Sequence, residues 1–170
     1  YTPASDGYLH IADPEDETTD INLYSSCGGE YIDYVGEQGE AVVYDVDGGH
    51  EYLIGFEAYT ELASGYAWEL GFTDNSACNV TGATIGYQSG DAVIDSDNNT
   101  VTFQVLNSAP STLHLDFQSS FGAKSYVSGE EVFGTLYHDF SSPLTMEVIA
   151  EDSETSKEWT FNVNKNANLL

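Results

Sequence analysis

The sequence predicts an all-β protein made of two tandem antiparallel β-sandwiches. Apolar and polar residues alternate over short stretches such as 101–105, 113–117 and 159–163, which is the pattern of half-buried strands. Clusters of Gly, Asp, Asn, Ser and Pro separate these stretches, for example at 47–49 and 141–143. No longer stretch has helical periodicity. Short strands divided by such turns are typical of sandwiches.

The predicted strands follow one another with short connections. In chain order they cover 8–11, 20–24, 30–35, 40–46, 52–56, 66–72, 82–87, 91–95, 101–105, 113–117, 131–137, 144–150 and 159–163. Within 52–56 the alternation places Tyr52 and Ile54 on the inner face and Leu53 on the outer one. Trp68 and Trp159 are in phase with apolar neighbours, so both are predicted to lie in the core.

A boundary between two modules is predicted near residues 73–81. This segment is polar and turn-rich, and nine of the twelve tyrosines precede it. The predicted organisation is an acidic, tyrosine-rich β-module at 1–75, a second sandwich at 76–165 and a tail or linker at 166–170. Because the sequence starts at Tyr1 without Met, we expect it to be part of a longer precursor.

The charge of the chain excludes several classes of partner. The 170 residues carry 29 Asp and Glu against three Lys and no Arg, a net charge of −26. Such a polyanion has little with which to neutralise phosphates, so nucleic acid and anionic membrane surfaces are not expected partners. No apolar run reaches the ~18–20 residues of a membrane span. A hydrophobic content of 41% is nevertheless too high for a disordered acidic tail.

The negative charge is concentrated in the first module. Residues 1–72 hold 16 acidic and no basic side chains (−16), while residues 73–170 hold 13 acidic and 3 basic ones (−10). Self-repulsion of this kind destabilises a compact state unless ions screen it. The sequence therefore predicts salt-rich surroundings, bound Ca²⁺, or both.

Acidic residues near turns are the candidate ligands for Ca²⁺, which prefers six to eight oxygen atoms. The seven candidates form one dense cluster and one pair on a strand face: Asp13, Glu15, Asp16, Glu17 and Asp20, then Asp45 and Asp47. A solvated acidic loop is the alternative for the cluster. The stretch 95–99 begins like an EF-hand loop but lacks its later Gly and Glu, so a hairpin turn is expected there.

Two cysteines, Cys27 and Cys78, both lie beside turn residues. They are too few for a zinc site, and we expect a disulfide, which implies an oxidising, extracellular setting. Two unpaired core cysteines are the alternative. Together with the composition, this predicts a secreted or cell-surface protein.

The tyrosines of the first module suggest carbohydrate binding. Aromatic faces stack on sugar rings, while Asp, Asn and Gln bind the hydroxyl groups. Tyr24, Tyr34 and Tyr59 are the candidates for an exposed platform, and ordinary core or surface tyrosines are the alternative.

Sequence motifs of catalysis are missing. There is no Gly-x-Ser-x-Gly elbow, phosphate-binding loop or His-Glu-x-x-His motif. His114 and Asp116 are expected to share an outward strand face, either as two surface residues or as a catalytic dyad. We expect no enzymatic activity.

Three motifs follow one another near the end of the stretch 82–165: Asp139-Phe140-Ser141-Ser142-Pro143-Leu144, then Val148-Ile149-Ala150-Glu151-Asp152, then Trp159-Thr160-Phe161-Asn162-Val163. With these motifs the stretch resembles the immunoglobulin-like and cadherin-like sandwich modules of bacterial surface proteins. Ser153 stands where that family usually has Gly, which implies a longer turn. The resemblance implies a cell-surface or secreted protein. The segment 39–56 is weakly similar to jelly-roll modules.

These observations predict a non-catalytic, cation-stabilised structural or adhesive protein of a surface layer, fibre or adhesin. Its partners would be itself or other surface proteins, joined through segment 1–12 or strand 158–164 as sheet edges. A glycan-binding module is the alternative function.

Overall fold

The computed structural model describes residues 1–12, 19–25, 31–35, 42–58 and 69–166. All regular secondary structure in these ranges is β-strand, so the prediction of an all-β fold is confirmed. Those ranges contain no helix long and apolar enough to cross a membrane. The chain divides into two compact units, Tyr1–Asn75 and Ser76–Leu170.

The described residues of the first unit form two three-stranded antiparallel sheets. Its strands are β1 (Gly7–Ala12), β2 (Thr19–Tyr24), β3 (Tyr31–Val35), β4 (Val42–Val46), β5 (Leu53–Ala58) and β6 (Glu69–Asp74). One sheet has the order β4-β1-β6 and the other β3-β2-β5. Leu9 and Ile11 of β1 share a core with Leu23 of β2 and Val46 of β4, so the two sheets pack face to face.

The second unit is a sandwich of a three-stranded and a six-stranded sheet. Its strands are β7 (Val80–Ile85), β8 (Val93–Asp95), β9 (Thr100–Leu106), β10 (Thr112–Ser119), β11 (Lys124–Val127), β12 (Glu130–Val132), β13 (Thr135–Asp139), β14 (Leu144–Ile149) and β15 (Ser156–Asn166). The smaller sheet has the order β13-β10-β7 and the larger one β12-β11-β14-β15-β9-β8. Leu115 and Phe117 of the smaller sheet pack with Phe103, Met146 and Phe161 of the larger one.

The larger sheet departs from the predicted antiparallel pairing. Strand β15 pairs antiparallel with β14 on one side and parallel with β9 on the other. The parallel register runs from Thr160 opposite Thr100 to Asn166 opposite Leu106. The last strand of the unit is therefore held next to one of its first strands.

The expectation that segments 1–12 and 158–164 form sheet edges was wrong. Strand β1 lies between β4 and β6, and β15 lies between β14 and β9. Strand β1 is paired on both sides, while β15 pairs with β14 over 156–161 and with β9 over 160–166. Neither is therefore an edge strand of its sheet. The predicted strand 131–137 is likewise two strands, β12 and β13, which belong to different sheets.

The turn at 95–99 is the hairpin that the sequence predicts. It joins the antiparallel strands β8 and β9, and Asp95 Oδ1 accepts hydrogen bonds from the amides of Asp97 and Asn98 at 3.1 Å each. The side-chain and backbone hydrogen bonds from Asn98 lower the pKa of Asp95. This carboxylate therefore closes a turn.

Trp159 anchors the core of the second unit, as the sequence predicts. Its side chain is 0% exposed, and its Nε1 donates a buried hydrogen bond of 3.1 Å to the carbonyl of Cys78. A buried indole requires such an acceptor. The bond ties β15 to the segment that precedes β7.

Trp159→Phe is expected to lower the free energy of unfolding by about 2 kcal/mol or more. The change leaves the buried carbonyl of Cys78 unsatisfied and also leaves a cavity. Urea denaturation measures the loss. Met146→Leu, on the strand position opposite Trp159, is the control and should cost less than ~1.5 kcal/mol. Equal losses in the two variants would contradict a role for the hydrogen bond.

Like charges face each other on the outer side of the larger sheet. Glu147 and Glu158 are directly opposite in the β14–β15 register, and both are exposed. On β11, Tyr126 pairs with Glu147 on one side and with Glu131 of β12 on the other, so the row of side chains continues to Glu131. Directly opposed like charges destabilise a strand pair.

Glu158→Gln is expected to raise the free energy of unfolding by about 0.2–1 kcal/mol, because it removes this repulsion. The gain should shrink when salt is added, and Glu147→Gln should add little once Glu158 is neutral. Glu154→Gln, in the loop before β15, is the matched control. A gain that is independent of salt would contradict an electrostatic origin.

Candidate functional site

The outer surface of the smaller sheet carries a row of polar and aromatic side chains. The outward residues of the central strand β10 are His114, Asp116 and Gln118. Tyr137 lies opposite His114 and Thr135 opposite Asp116 on β13. We call these five side chains the β10 face. The alternation of β10 produces it, because Leu113, Leu115 and Phe117 point into the core.

His114 lies at the centre of a hydrogen-bonded group on the β10 face. Its Nδ1 is 3.2 Å from Asp116 Oδ2, and its Nε2 is 2.7 Å from Thr135 Oγ1. The imidazole ring also packs against Tyr137, with ring centroids 4.8 Å apart. The expectation that His114 and Asp116 share an outward face is confirmed. The group holds the ring of Tyr137 beside a row of hydrogen-bonding side chains.

Phe133 is presented to solvent by a tight turn between β12 and β13. The amide of Thr135 donates to the carbonyl of Phe133 at 2.8 Å, which closes a three-residue turn around Gly134. Gly134 has φ +69°, the conformation of the γ-turn that is rarely adopted and strained for other residues. The Phe133 side chain is 78% exposed. The turn therefore places a large apolar ring in solvent.

Phe121 is presented by a second turn, between β10 and β11. The amide of Ala123 donates to the carbonyl of Ser120 at 3.0 Å, and Gly122 in the third position has φ +77°. This is the pattern of a type II turn, which requires glycine there. Both exposed phenylalanines thus precede a glycine with positive φ.

The two turns meet at one groove. Phe121 and Phe133 line a depression of about 480 Å³ together with Gln118, Lys124 and Glu131. A second depression of about 390 Å³ is lined by Thr84, Asp116 and Gln118. The two share Phe117, Gln118 and Gly134. We call the pair the Phe-Gly groove; Asp116 and Gln118 belong both to it and to the β10 face.

Few positive charges approach the groove. Lys157 donates to Asn79 Oδ1 at 2.7 Å and Lys165 to the carbonyl of Ala109 at 2.6 Å. Lys124 lines the groove, but so does Glu131. Asp116 lies 3.2 Å from His114 Nδ1. This surface therefore has more carboxylates than ammonium groups.

At the end of β13, Asp139 closes a turn. Its Oδ1 accepts a hydrogen bond of 3.0 Å from the amide of Ser141, and this contact lowers the pKa of the Asp139 carboxyl. Asp139 therefore adds a negative charge on the same face of β13 as Tyr137.

The predicted metal ligands fall largely outside the described residues. Asp13, Glu15, Asp16 and Glu17 lie there, as does the side chain of Asp20. Asp45 and Asp47 are both exposed at the end of β4. In the described part of the chain, no three His, Cys, Asp or Glu side chains form a group that could hold a metal ion. The calcium site stays a prediction.

The other predicted site residues of the first unit are only partly described. Tyr24 is half-buried and its ring lies over Gly55. Tyr59 and the side chain of Tyr34 lie outside the described residues. So does Cys27. Cys78 is buried, and burial raises the pKa of its thiol. The disulfide stays a prediction.

The aromatic residues of the groove are ones that sequence alternation does not single out. Phe121 and Phe133 lie in turns, where period-two patterns carry no information about exposure. Their signal in the sequence is the dipeptide Phe-Gly, which occurs at 121–122 and 133–134. In each case glycine permits the positive φ that turns the ring outward.

Comparison with known proteins gives distant likenesses only. No protein-family model and no curated protein matches the sequence. A Bacteroides thetaiotaomicron protein provisionally named a glycoside hydrolase has a TM-score of 0.46 and 23% identity over 55% of this chain, which spans 26% of that protein's length. A Bacteroides fragilis protein provisionally named a secreted protein has a TM-score of 0.35 and 17% identity over 98% of both chains. Neither likeness carries a conclusion about function.

Gly134→Ala is expected to lower the free energy of unfolding by about 1–2 kcal/mol, because a Cβ opposes the positive φ, and to displace Phe133. Gly90→Ala is the control, since Gly90 has φ +76° and open space around it. Both variants should lose similar stability in urea denaturation. The NMR signals of the groove should move only in Gly134→Ala. Unchanged groove signals would contradict the role of this turn.

Proposed function

We propose that this chain is a non-catalytic, secreted or cell-surface adhesive protein that binds glycan chains. The binding surface is the Phe-Gly groove together with the β10 face of the second unit. The proposal depends on one observation above all: Phe133 and Tyr137 are 78% and 75% exposed beside a polar groove.

The aromatic side chains supply the apolar part of the binding energy. Sugar rings have one face of C–H groups, and such a face packs on an aromatic ring while the hydroxyl groups stay at the rim. Burying apolar surface contributes about 25 cal/mol per Å², so two or three rings provide the core of a modest binding site. Single exposed rings are common on proteins, but three around one surface favour a ligand.

The polar side chains supply orientation. Asp116 offers carboxylate oxygens, Gln118 offers an amide with donors and an acceptor, and Thr84 offers a hydroxyl. Sugar hydroxyl groups can both donate and accept, so these three types satisfy them from one side. The groove is open and lined by residues of several strands, which suits a chain better than a small molecule.

The order Thr135–His114–Asp116 resembles that of a catalytic triad, but the surroundings favour a binding role. Hydrolysis through such a triad requires amide donors for the developing oxyanion. The amide of Thr135 donates to Phe133 and the amide of Phe117 donates to Gly134, at 2.8 Å each. The two amides beside the threonine are thus occupied, and the group lies on an open sheet face.

The proposal also includes cation dependence, a cell-surface setting and assembly. Ca²⁺ or salt would screen the charge of the first unit. The immunoglobulin-like resemblance of the second unit supports a cell-surface setting, and Tyr24, Tyr34 and Tyr59 form a separate candidate platform. Assembly into a surface layer or fibre would have to use strands other than β1 and β15, because both are interior.

Phe133→Ala and Tyr137→Ala are each expected to weaken binding to a glycan ligand by tenfold or more, about 1.4 kcal/mol, because each removes a central aromatic contact. Affinity electrophoresis in polysaccharide gels, followed by calorimetry, measures the effect. Tyr87→Ala is the matched control, since Tyr87 is an exposed aromatic residue of the same unit that belongs neither to the groove nor to the β10 face.

A change of Tyr24, Tyr34 and Tyr59 to Ala distinguishes the two platforms. Loss of binding in this triple variant, with Phe133→Ala unaffected, would move the site to the first unit. Retention by no polysaccharide at all would contradict glycan binding.

A further inference from the structure

We infer that the Phe-Gly groove takes uncharged glycan chains and rejects acidic or sulfated ones. The inference rests on the proposed function and adds the chemical class of the ligand. It is drawn from the charges that line the groove and surround it.

The groove has no net positive charge to attract an anion. Lys124 and Glu131 line the same depression, so the single cation is offset locally. Asp116 lines the adjoining depression with its side chain 55% exposed. The other two lysines are held by Asn79 and Ala109. An acidic sugar in the groove would therefore face two carboxylates and one ammonium group.

The net charge of the whole protein also disfavours anionic ligands. The chain has a net charge of −26, and charges within a Debye length of about 10 Å act on a ligand at moderate salt. A pair of like charges at 4 Å costs about 1 kcal/mol in water and more beside a protein surface. A polyanionic chain brings several such charges, so repulsion accumulates along it.

Uncharged sugars meet no such penalty. Their hydroxyl groups can donate to the exposed carboxylates, and hydrogen bonds to an ionised acceptor are stronger than neutral ones. Phe121 and Phe133 need only an apolar ring face. The same carboxylates that repel an acidic chain therefore help to hold a neutral one.

Matched polysaccharide pairs test this inference. Hydroxyethyl cellulose against carboxymethyl cellulose, and dextran against dextran sulfate, change charge while keeping the backbone. We expect the full chain to bind the neutral member of a pair at least tenfold more tightly at low salt. The ratio should fall as NaCl rises from about 10 mM to about 1 M, which shortens the Debye length from ~30 Å to ~3 Å.

Variants assign the effect to the groove. Glu131→Gln removes one repulsive charge from the groove, so it should reduce the ratio of the affinities for the neutral and the charged polysaccharide by about two- to fivefold. Glu154→Gln, in the exposed loop before β15, should leave this ratio nearly unchanged. Binding of both members with equal affinity and loss of both in Phe133→Ala would overturn the inference while leaving the proposed function intact. Tighter binding of the charged member, abolished by Lys124→Gln, would also overturn it. Binding of neither member of any pair would overturn both.

Discussion

Strand β15 holds the second unit together because it is hydrogen-bonded on both sides. Its eleven residues pair with β14 and, in parallel, with β9, and they bring Trp159 and Phe161 into the core. Strand β12 lies at one edge of the larger sheet, and β13, the next strand along the chain, lies at one edge of the smaller sheet. Only Phe133 and Gly134 connect these two strands. The chain changes sheets within two residues, and the exposed phenylalanine is a consequence of that geometry.

Charged side chains contribute to cohesion mainly through hydrogen bonds to neutral groups. Lys157 and Lys165 donate to an amide and a backbone carbonyl, and the carboxylates of Asp95 and Asp139 close turns. Stability must come from apolar burial and backbone hydrogen bonds, which is the usual balance for sandwiches. The other exposed carboxylates repel one another, so stability should depend on salt, and they underlie the ligand preference that we propose.

The sequence predicts which residues of a strand face the core better than it predicts which strands are paired. Strands β9, β10 and β15 are found from alternation because each buries every second residue in one core. Alternation does not report which strands lie on either side, so the interior position of 158–164 and its parallel pairing are not foreseen. Strand β11 at 124–127 is too short to show the pattern, and β12 and β13 merge into one predicted strand because only Gly134 breaks it.

The candidate site is likewise only partly predictable from the sequence. The shared face of His114 and Asp116 follows from their spacing on β10, whereas Phe121 and Phe133 lie in turns that alternation does not describe. The abundance of tyrosine instead leads to the prediction of a binding platform in the first unit. An exposed ring beside a glycine is unremarkable alone, since apolar atoms cover much of any protein surface. Here two separate turns, each built on a glycine with positive φ, direct a phenylalanine to one groove. That convergence is the main support for the proposed binding surface.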